Sequence, residues 1–371
     1  MRMESLILCL SLGVVACVSE VPGDTGGAGE ATDVAALSAS SADAPKRTAG
    51  WANIDAVPYS KDAVKLGAAG AGAALSLEEL AEALRPVMST PSGTMIAREP
   101  NWDAASAAQR SGDGSLAYVP GEVGPMQVIG PDGRTRVPVT TIAPFSSMAQ
   151  IWVALDGGTF QCTGTYIGPW TFITAGHCLR MADGTVTRRI TFNAARNGGS
   201  FPFGSIACAN DDASRSNDFF AAIPAGFAAS ADPNFDFAVI DTYPCHAAQR
   251  WLGMPASNQG VLVNSGDTTY SLHGYPAPAC IGAPGGFDYN CGMSGPAYVN
   301  GNWVESAEID SEGGQSGGPW HIAGRVAATH IGYREYGDLF RCGFDVCRRN
   351  FGRRIDTAYK SFLDEIAYDY P

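Results

Sequence analysis

The stretch of this sequence best suited to chemistry is a serine set among glycines, Gly313-Gly314-Gln315-Ser316-Gly317-Gly318-Pro319. Glycines can adopt positive φ angles and let a substrate carbonyl approach the backbone. A turn built in this way can direct the amides of Gly314 and Ser316 at one oxygen, as an oxyanion hole requires. Glycine-rich turns that carry a serine are also common between strands. The motif therefore predicts a nucleophile only if a base and its partner lie elsewhere in the chain.

Two upstream motifs supply those partners. Thr174-Ala175-Gly176-His177-Cys178 places a histidine at the end of an apolar run, and Asp236 stands near the start of another, at residues 235 to 240. A serine hydroxyl becomes a good nucleophile when a base takes its proton, and the imidazole needs a carboxylate to fix its tautomer. Together the motifs predict a catalytic triad of His177, Asp236 and Ser316, with Gly314 and Ser316 as the oxyanion hole.

The composition indicates a globular, mostly β protein. The 371 residues are 45% hydrophobic, enough for a sizeable core, and the 45 glycines and 23 prolines favour many turns. Strand-like runs lie at residues 150–155, 162–167, 170–174, 188–192, 235–241, 260–263, 268–274, 302–307 and 325–331. A periodic apolar face over residues 356–368 predicts a C-terminal helix. The net charge of −13 offers no basic face, so no nucleic-acid partner is expected.

From Val128 to its C-terminus the chain resembles chymotrypsin-fold serine endopeptidases and, among them, the bacterial glutamyl endopeptidases. The order His177, Asp236, Ser316 carries the resemblance, because α/β-hydrolases and subtilisins place these residue types in other orders. Residues 128–137, 196–205, 274–276, 294–296 and 349–355 are also similar to segments of the family. The resemblance implies an all-β fold of two six-stranded antiparallel β-barrels with a C-terminal helix. The first barrel would supply His177 and Asp236, and the second Ser316.

The sequence before Val128 divides into three predicted parts. Residues 1–17 contain an apolar run that is shorter than the roughly 20 residues needed to span a bilayer, which predicts an export signal peptide. Residues 18–45 have scarcely any large apolar side chain and predict a flexible linker. Residues 46–127 predict a prosegment, with a short helix that opens at the capping box Ser76-Leu77-Glu78-Glu79.

These parts lead to expectations about processing and location. The resemblance implies a mature N-terminus at Val128 and a serine protease domain over residues 128–371. The protein is expected to be secreted or extracellular. Residues 14–17 also resemble a bacterial lipobox, so a lipid on Cys17 is an alternative to a plain signal peptide and the one expected route to a membrane.

The cysteines indicate a disulfide-braced exported protein. Two of the ten, Cys9 and Cys17, fall in the signal, which leaves eight. The resemblance implies a bridge between Cys162 and Cys178 beside the histidine. Pairing the remaining neighbours, as the simplest of many connectivities, gives Cys208–Cys245, Cys280–Cys291 and Cys342–Cys347. No Cys-x-x-Cys pair indicates zinc, and neither a metal nor another cofactor is expected.

The residues around the nucleophile leave substrate specificity open. The resemblance implies that His330 and Ser311 bind a glutamate side chain in the primary specificity pocket, and imidazole N–H and hydroxyl groups suit a carboxylate. Asp310 supports the rival, trypsin-like cleavage after Arg or Lys. Gln315 departs from trypsin-like zymogens, which carry an aspartate directly before the nucleophile, so activation must use another route.

A function of another class is an inactive protease homologue that serves as a binding module. Every triad position is filled, which argues against that alternative. The expected partners are protein or peptide substrates and the chain's own prosegment as an inhibitor, and the expected state is a monomer.

Overall fold

The computed structural model describes residues 57–58, 60, 75–90, 92–110, 123–124, 126–210, 219–243, 245, 260–283, 288–336 and 347–367. The predicted signal peptide, with Cys17, and the predicted linker lie outside the described residues. So does Cys342, and with it the expected Cys342–Cys347 pair. Within the described ranges, no helix combines the length and the apolar character that crossing a bilayer requires.

The strands, in chain order, are β1 (Val57–Pro58), β2 (Pro86–Ser89), β3 (Met95–Ala97), β4 (Val123–Gly124), β5 (Thr135–Arg136), β6 (Met148–Leu155), β7 (Gly158–Tyr166), β8 (Thr171–Thr174), β9 (Arg189–Ala194), β10 (Ile206–Ala209), β11 (Phe220–Pro224), β12 (Ala238–Asp241), β13 (Thr268–Gly274), β14 (Cys291–Asn300), β15 (Trp303–Ser306), β16 (Pro319–Ile322), β17 (Arg325–Tyr336) and β18 (Cys347–Arg354). The α-helices are α1 (Leu77–Ala83), α2 (Trp102–Arg110), α3 (Ala225–Ser230) and α4 (Thr357–Ile366).

The second half of the chain closes into a six-stranded antiparallel barrel. Its strands follow the order β13-β16-β17-β18-β15-β14, and β14 pairs back onto β13. Side chains that alternate along these strands fill the interior, among them Leu272, Trp320 and Ala328, all fully buried. Closure pairs every strand on both sides, so this barrel presents no free edge.

The first half of the chain forms one large sheet in the order β1-β3-β2-β11-β12-β8-β7-β6-β9-β10. Its core includes Phe172 and Phe192, whose rings meet edge to face with centroids 5.1 Å apart. With the closed barrel and the C-terminal helix α4, this sheet confirms the predicted all-β, chymotrypsin-like fold. One predicted strand, residues 260–263, is absent, since only Val261 forms a bridge, to Val326 of β17.

The described residues before Val128 belong to the same body as the rest of the chain. β2 pairs with β11, with Val87 opposite Ile223, so strands from the predicted prosegment extend the first sheet. Helix α1 begins at the expected capping box and buries Leu80 in the core that the first sheet forms. At the other end of the segment, Asn101 Nδ2 donates to Glu365 Oε2 of α4 at 2.6 Å. The described part of this segment therefore shares its core with the first sheet and hydrogen-bonds to α4.

Three of the expected disulfides lie among the described residues. They join Cys162 to Cys178, Cys208 to Cys245 and Cys280 to Cys291. The first ties β7 to the turn that carries His177, and the third ties β14 to the segment after residue 277. Cross-links of this kind stabilise mainly by restricting the unfolded chain.

The shared core predicts how the uncut chain unfolds. In a Ser316→Ala precursor, Leu80→Ala should lower the free energy of unfolding by about 2–5 kcal/mol, because it opens a cavity in the core common to both segments. Urea titration followed by tryptophan fluorescence and by far-UV circular dichroism measures the effect. Val139→Ala, at a half-exposed site (48%), is the control and should change little. A separate early transition that alone responds to Leu80→Ala would show an independently folding prosegment.

Candidate active site

His177 and Asp236 meet because their strands are neighbours. His177 lies in a short 3-10 turn, Gly176–Cys178, directly after β8. Asp236 follows a second such turn, Pro233–Phe235, just before β12. The end of β8 lies beside the start of β12, since Thr174 and Ala238 are paired. Two turns that leave the sheet at the same edge therefore present the histidine and the carboxylate to each other.

The Asp236 carboxylate contacts His177 through both oxygens. Oδ2 lies 2.7 Å from His177 Nδ1, and Oδ1 accepts a hydrogen bond of 2.8 Å from the His177 amide. An ionised carboxylate only accepts, so Nδ1 carries the proton and the lone pair of Nε2 is left to act as a base. Burial alone would lower the pKa of His177, but the charge of Asp236 and its hydrogen bond raise that pKa above the ordinary value of 6.5.

The turn that carries Asp236 is held by the other barrel and by the C-terminal helix. Arg353 on β18 donates from Nε to the Asn234 carbonyl at 2.7 Å and pairs through Nη2 with Asp356 at 2.7 Å. Asp356 in turn caps α4 by accepting a 2.8 Å hydrogen bond from the Tyr359 amide. Arg353 and Asp356 are buried, so each charge is compensated by the other and by backbone groups.

Ser316 lies between β15 and β16, in a loop that rests directly on the first sheet. The Thr163 amide donates to the Ser316 carbonyl at 2.7 Å. The next residue, Gly317, has φ +79°, and a Cβ there would lie 2.0 Å from Thr174 Oγ1 and 2.9 Å from the Ala175 nitrogen. Any side chain at position 317 would push the loop away from the strand end that leads to His177. Glycine is therefore required to bring the nucleophile to its base.

The backbone N–H groups of Gly314 and Ser316, the two predicted oxyanion-hole donors, have no acceptor among the described residues. Neither the Gly314 amide nor the Ser316 amide donates to any atom in the part of the chain that the structure describes. The Gly313 carbonyl accepts from the Ala277 amide. Because a trans peptide places its C=O and N–H on opposite sides, this bond turns the Gly314 N–H away from Ala277. The geometry leaves both amides available to an incoming oxyanion.

In the uncut chain, residues before Val128 lie over the nucleophile. β4 pairs antiparallel with β17, with Gly124 opposite Tyr333. Two residues later Met126 reaches the site, and the Ser316 hydroxyl lies 3.8 Å from Met126 Sδ, as a donor to sulfur. Ser316 makes no hydrogen bond to His177, although both residues are described. The Ser316 hydroxyl is thus in contact with the segment before Val128 and is not hydrogen-bonded to His177.

The predicted pocket residue Ser311 directs its hydroxyl to another side chain. Ser311 Oγ donates to Asn350 Oδ1 at 2.7 Å, so the proton expected to meet a substrate is already used. The Ser311 amide instead points at the Gln127 carbonyl, at 3.3 Å. Asn350 Nδ2 donates to the same carbonyl at 2.7 Å.

The predicted pocket residue His330 is fully buried and has one nitrogen without a partner. Trp320 Nε1 donates to His330 Nδ1 at 3.1 Å. His330 Nε2 is buried and forms no hydrogen bond, although the Phe351 carbonyl is near enough to favour the protonated ring. Burial, reinforced by the nearby His177, lowers the pKa of His330 to about 3. His330 is therefore neutral at ordinary pH, and its remaining N–H is at Nε2.

Both carboxylate oxygens of the rival specificity residue, Asp310, accept hydrogen bonds from the backbone. Its Oδ1 accepts from the Ile129 amide at 2.7 Å and its Oδ2 from the Gly133 amide at 2.8 Å. The side chain is nearly inaccessible, at 2% exposure. Asp310 therefore anchors the segment that follows Val128 and is buried beneath it.

Gln315 is fixed by the same segment. Its Oε1 accepts from Arg134 Nη1 at 3.3 Å and from the Glu312 amide at 3.0 Å, and its Nε2 donates to the Cys291 carbonyl at 3.2 Å. Arg134 is buried and pairs with Asp132 at 2.8 Å. These contacts supply a brace for the residue before the nucleophile that does not depend on an ion pair with a newly formed amine.

The described residues do not fit a metal ion. The one grouping of potential ligand atoms in the part of the chain with assigned structure is Cys162, His177 and Cys178. Both sulfurs are consumed by the disulfide that joins them, and the imidazole is held by Asp236. Metal ligation by cysteine requires the thiolate, so this donor set is not a metal site.

Sequence reasoning missed three residues of this site: Met126, Trp320 and Asn350. Asn350 falls in a segment that was singled out only for its resemblance to a family. Its contact with Gln127 joins positions 223 residues apart, and no local sequence pattern predicts such a contact. Trp320 lies outside the strands predicted from the sequence, although a buried indole N–H needs an acceptor and so indicates a polar neighbour.

Curated relatives match about half of this chain, whereas no family model matches it. It is 31% identical over 194 residues to the glutamyl endopeptidase of Bacillus licheniformis, which covers 52% of this chain and 54% of that protein. It is 33% identical over 162 residues to a protein of Bacillus subtilis named extracellular metalloprotease, covering 43% of this chain and 47% of that protein. The chain therefore spans about half the length of the curated relatives it matches.

Solved structures of similar shape include a Glu endopeptidase in complex with MPD, with a TM-score of 0.46 and 23% identity, over 64% of this chain and 97% of that one. Another is the protease Anisep from Arthrobacter nicotinovorans, with a TM-score of 0.46 and 20% identity, over 63% of this chain and 100% of that one. The sequence relatives confirm the resemblance that the motifs predicted: this chain, with its chymotrypsin-like fold, is related to the bacterial glutamyl endopeptidases.

Proposed function

We propose that this chain is the precursor of an exported serine endopeptidase that cleaves peptide bonds after glutamate. The observation that carries the proposal is the hydrogen-bonded Asp236–His177 pair, which leaves Nε2 as a base in the turn after β8, the strand end against which the loop of Ser316 packs. Disulfides among the described cysteines suit an oxidising, extracellular location. Similarity to the glutamyl endopeptidase supports the same reaction class.

In the proposed reaction, Ser316 Oγ attacks the carbonyl carbon of the scissile bond while His177 Nε2 takes its proton. The new C–O bond leaves the carbonyl oxygen negatively charged, and the Gly314 and Ser316 amides donate to it. The intermediate collapses as the C–N bond breaks, and His177 returns the proton to the leaving amine. Water then attacks the acyl-enzyme by the same steps, with His177 as base, and releases the acid and Ser316.

Glutamate specificity is supported by hydrogen-bond chemistry at His330. The indole N–H of Trp320 only donates, so His330 Nδ1 must accept and the neutral ring must carry its proton on Nε2. A buried N–H without a partner is unfavourable until an acceptor arrives, and a glutamate carboxylate is such an acceptor. Asp310, the residue that would favour Arg or Lys, has both oxygens bound to backbone amides.

We also propose that the residues before Val128 inhibit the uncut chain. Pairing of β4 with β17 gives this segment an extended path toward the nucleophile, and Met126 at its end meets Ser316. Substrate peptides bind other proteins by the same strand addition. Removal of the segment after cleavage near Val128 would free the hydroxyl to approach His177.

Two other functions are less well supported. An inactive homologue is disfavoured because no group of the predicted triad is missing. The name of the Bacillus subtilis relative suggests a metal-dependent reaction. The described residues do not fit that reaction, because the sulfurs of the one candidate grouping found among them are joined in a disulfide.

Removing the charge that orients His177 tests the triad. In the processed enzyme, Asp236→Asn should lower kcat by about 10⁴-fold, because an amide at this position favours the wrong tautomer of His177. Hydrolysis of a peptide with Glu before the cut measures the rate, and titration with a fluorophosphonate gives the active-site concentration. Asp241→Asn, a buried substitution at the far end of β12, is the matched control. Equal rates for the two variants would remove Asp236 from the mechanism.

The pH dependence of the unaltered enzyme tests His177. The base must be neutral, and the pKa of His177 lies above 6.5, so kcat/KM should fall with decreasing pH from a midpoint above that value. Below the midpoint the fall should approach tenfold per pH unit, as for one protonation. His330, with a pKa of about 3, adds no step in this range. A midpoint at or below 6.5 would contradict the assignment.

Replacing His330 tests the specificity. His330→Val should reduce kcat/KM for a Glu peptide by about 10- to 100-fold more than for the matched Phe peptide, because the lost hydrogen bond involves a charged acceptor. His321→Val, which replaces a second buried histidine of the same barrel, should leave the Glu to Phe ratio unchanged. Equal losses on both peptides in the His330 variant would show that His330 does not determine the preference for glutamate.

A further inference from the structure

The feature that carries a further inference is a buried side-chain amide, Asn350. Its Nδ2 donates to the Ile309 carbonyl at 2.9 Å and to the Gln127 carbonyl at 2.7 Å. Its Oδ1 accepts from Ser311 Oγ at 2.7 Å and, more weakly, from the Gln127 amide at 3.4 Å. Asn350 is fully inaccessible. Every hydrogen-bonding position of this amide is filled, and two of them are filled by a single residue that precedes the predicted cut.

The network fixes the orientation of the Asn350 amide. Exchanging its oxygen and nitrogen would place Oδ1 against two carbonyl oxygens, those of Ile309 and Gln127, and would forfeit both hydrogen bonds. With Nδ2 toward the two carbonyls, every contact of the amide joins a donor to an acceptor. Nδ2 therefore points one N–H permanently at Ile309 and the other at whatever occupies the position of the Gln127 carbonyl.

The Gln127 carbonyl belongs to the residue that follows Met126, whose side chain contacts Ser316. Met126 contacts Ser316, and the next residue, Gln127, contacts Asn350 and Ser311. Consecutive Cα atoms are about 3.8 Å apart, so the recess lies one residue along the segment from the contact with Ser316. Asn350, on β18, is also paired with Tyr333 of β17. β17 is the strand that pairs with β4, just before Met126. The amide therefore belongs to the wall where the side chain of the residue before a cut would enter.

Two N–H groups converge there on one oxygen. The Gln127 carbonyl receives Asn350 Nδ2–H at 2.7 Å and the Ser311 amide at 3.3 Å. When the segment up to Gln127 leaves, both donors lose their acceptor, and buried donors without acceptors are unfavourable. The neighbouring Asp310 does not compete for them, since its oxygens accept from Ile129 and Gly133. The vacated position suits an oxygen that only accepts.

We propose that Asn350 Nδ2 and the Ser311 amide form the floor of the primary specificity pocket. In the uncut chain they hold the Gln127 carbonyl, and in the processed enzyme they bind a carboxylate oxygen of the acidic side chain that precedes the cut. Gln127 thus occupies the position of the substrate side chain in the uncut chain. The same two N–H groups hold the inhibitory segment before processing and bind substrate after it. The inference rests on the proposed glutamate specificity and adds Asn350 as a residue that determines it.

The test compares specificity ratios in processed enzymes. Peptides that differ only in Glu, Gln or Phe before the cut are hydrolysed by the unaltered enzyme, by Asn350→Asp and by Asn302→Asp. Asn350→Asp keeps the size of the side chain but replaces the donor with an anion, so kcat/KM for Glu relative to Gln should fall by about 10- to 100-fold. Asn302 is a similarly buried asparagine of the same barrel, with 2% exposure, and its variant should keep the ratio of the unaltered enzyme.

A second, uncharged variant tests the proposal even if Asn350→Asp folds poorly. Asn350→Ser removes the amide donor without adding charge and should lower the Glu to Gln ratio by about tenfold. Two substrates assayed in one preparation share the same fraction of folded enzyme, so the ratio does not depend on yield.

The outcomes separate this inference from the proposed function. If the unaltered enzyme shows no preference for Glu over Gln and Phe, the proposed glutamate specificity fails. If it prefers Glu, and the Asn350 variants keep the ratio shown by the Asn302 variant, the function stands and the role of Asn350 is overturned. A selective loss on Glu in both Asn350 variants supports it.

Discussion

The contact on which the rest of this site depends is the double hydrogen bond from His177 to the Asp236 carboxylate, at 2.7 and 2.8 Å. It sets the tautomer, the orientation and the proton affinity of the imidazole in one arrangement. A buried carboxylate is unfavourable unless donors surround it, and here the donors are the ring and backbone of the base itself. The Arg353 bond to the Asn234 carbonyl keeps the turn in place from the opposite barrel, so catalytic geometry and barrel docking depend on each other.

The segment from residue 123 to residue 134 has two opposite roles in the uncut chain. Its first part pairs with β17 and ends at Met126, which contacts the Ser316 hydroxyl. Its second part braces the nucleophile loop, through Ile129 and Gly133 on Asp310 and through Arg134 on Gln315. The predicted cut at Val128 falls between the two parts. Cleavage would therefore release the obstruction and retain the brace, which accounts for an activation route without an aspartate before the nucleophile.

Donors, rather than charge, define the recognition chemistry beside Ser316. Each carboxylate oxygen of Asp310 accepts a hydrogen bond from a backbone amide, and His330 is kept uncharged by burial. What remains are N–H groups in fixed orientations, set by Trp320 at His330 and by Ile309 at Asn350. Oriented N–H dipoles that need no reorganisation bind an anion well in a site shielded from water.

Much of this could be predicted because the motifs are local. The strand of residues 268–274 and the C-terminal helix follow from apolar periodicity, and the glycines around Ser316 follow from the need for positive φ and close approach. The strand predicted at residues 260–263 was wrong. Its apolar run indicates burial, but the backbone there makes only a single bridge beside β17.

The sequence by itself determined which chemical groups are present, the order of the triad residues and the all-β class, since these follow from residue types and short spacings. Only the tertiary structure decided which of those groups are free to act. Ser311 turns its hydroxyl to Asn350, Asp310 binds two backbone amides, and Met126 contacts Ser316, all through contacts between distant positions. Hydrogen-bond partners depend on proximity in three dimensions. That proximity does not exist until the first sheet, the barrel and the preceding segment have packed together.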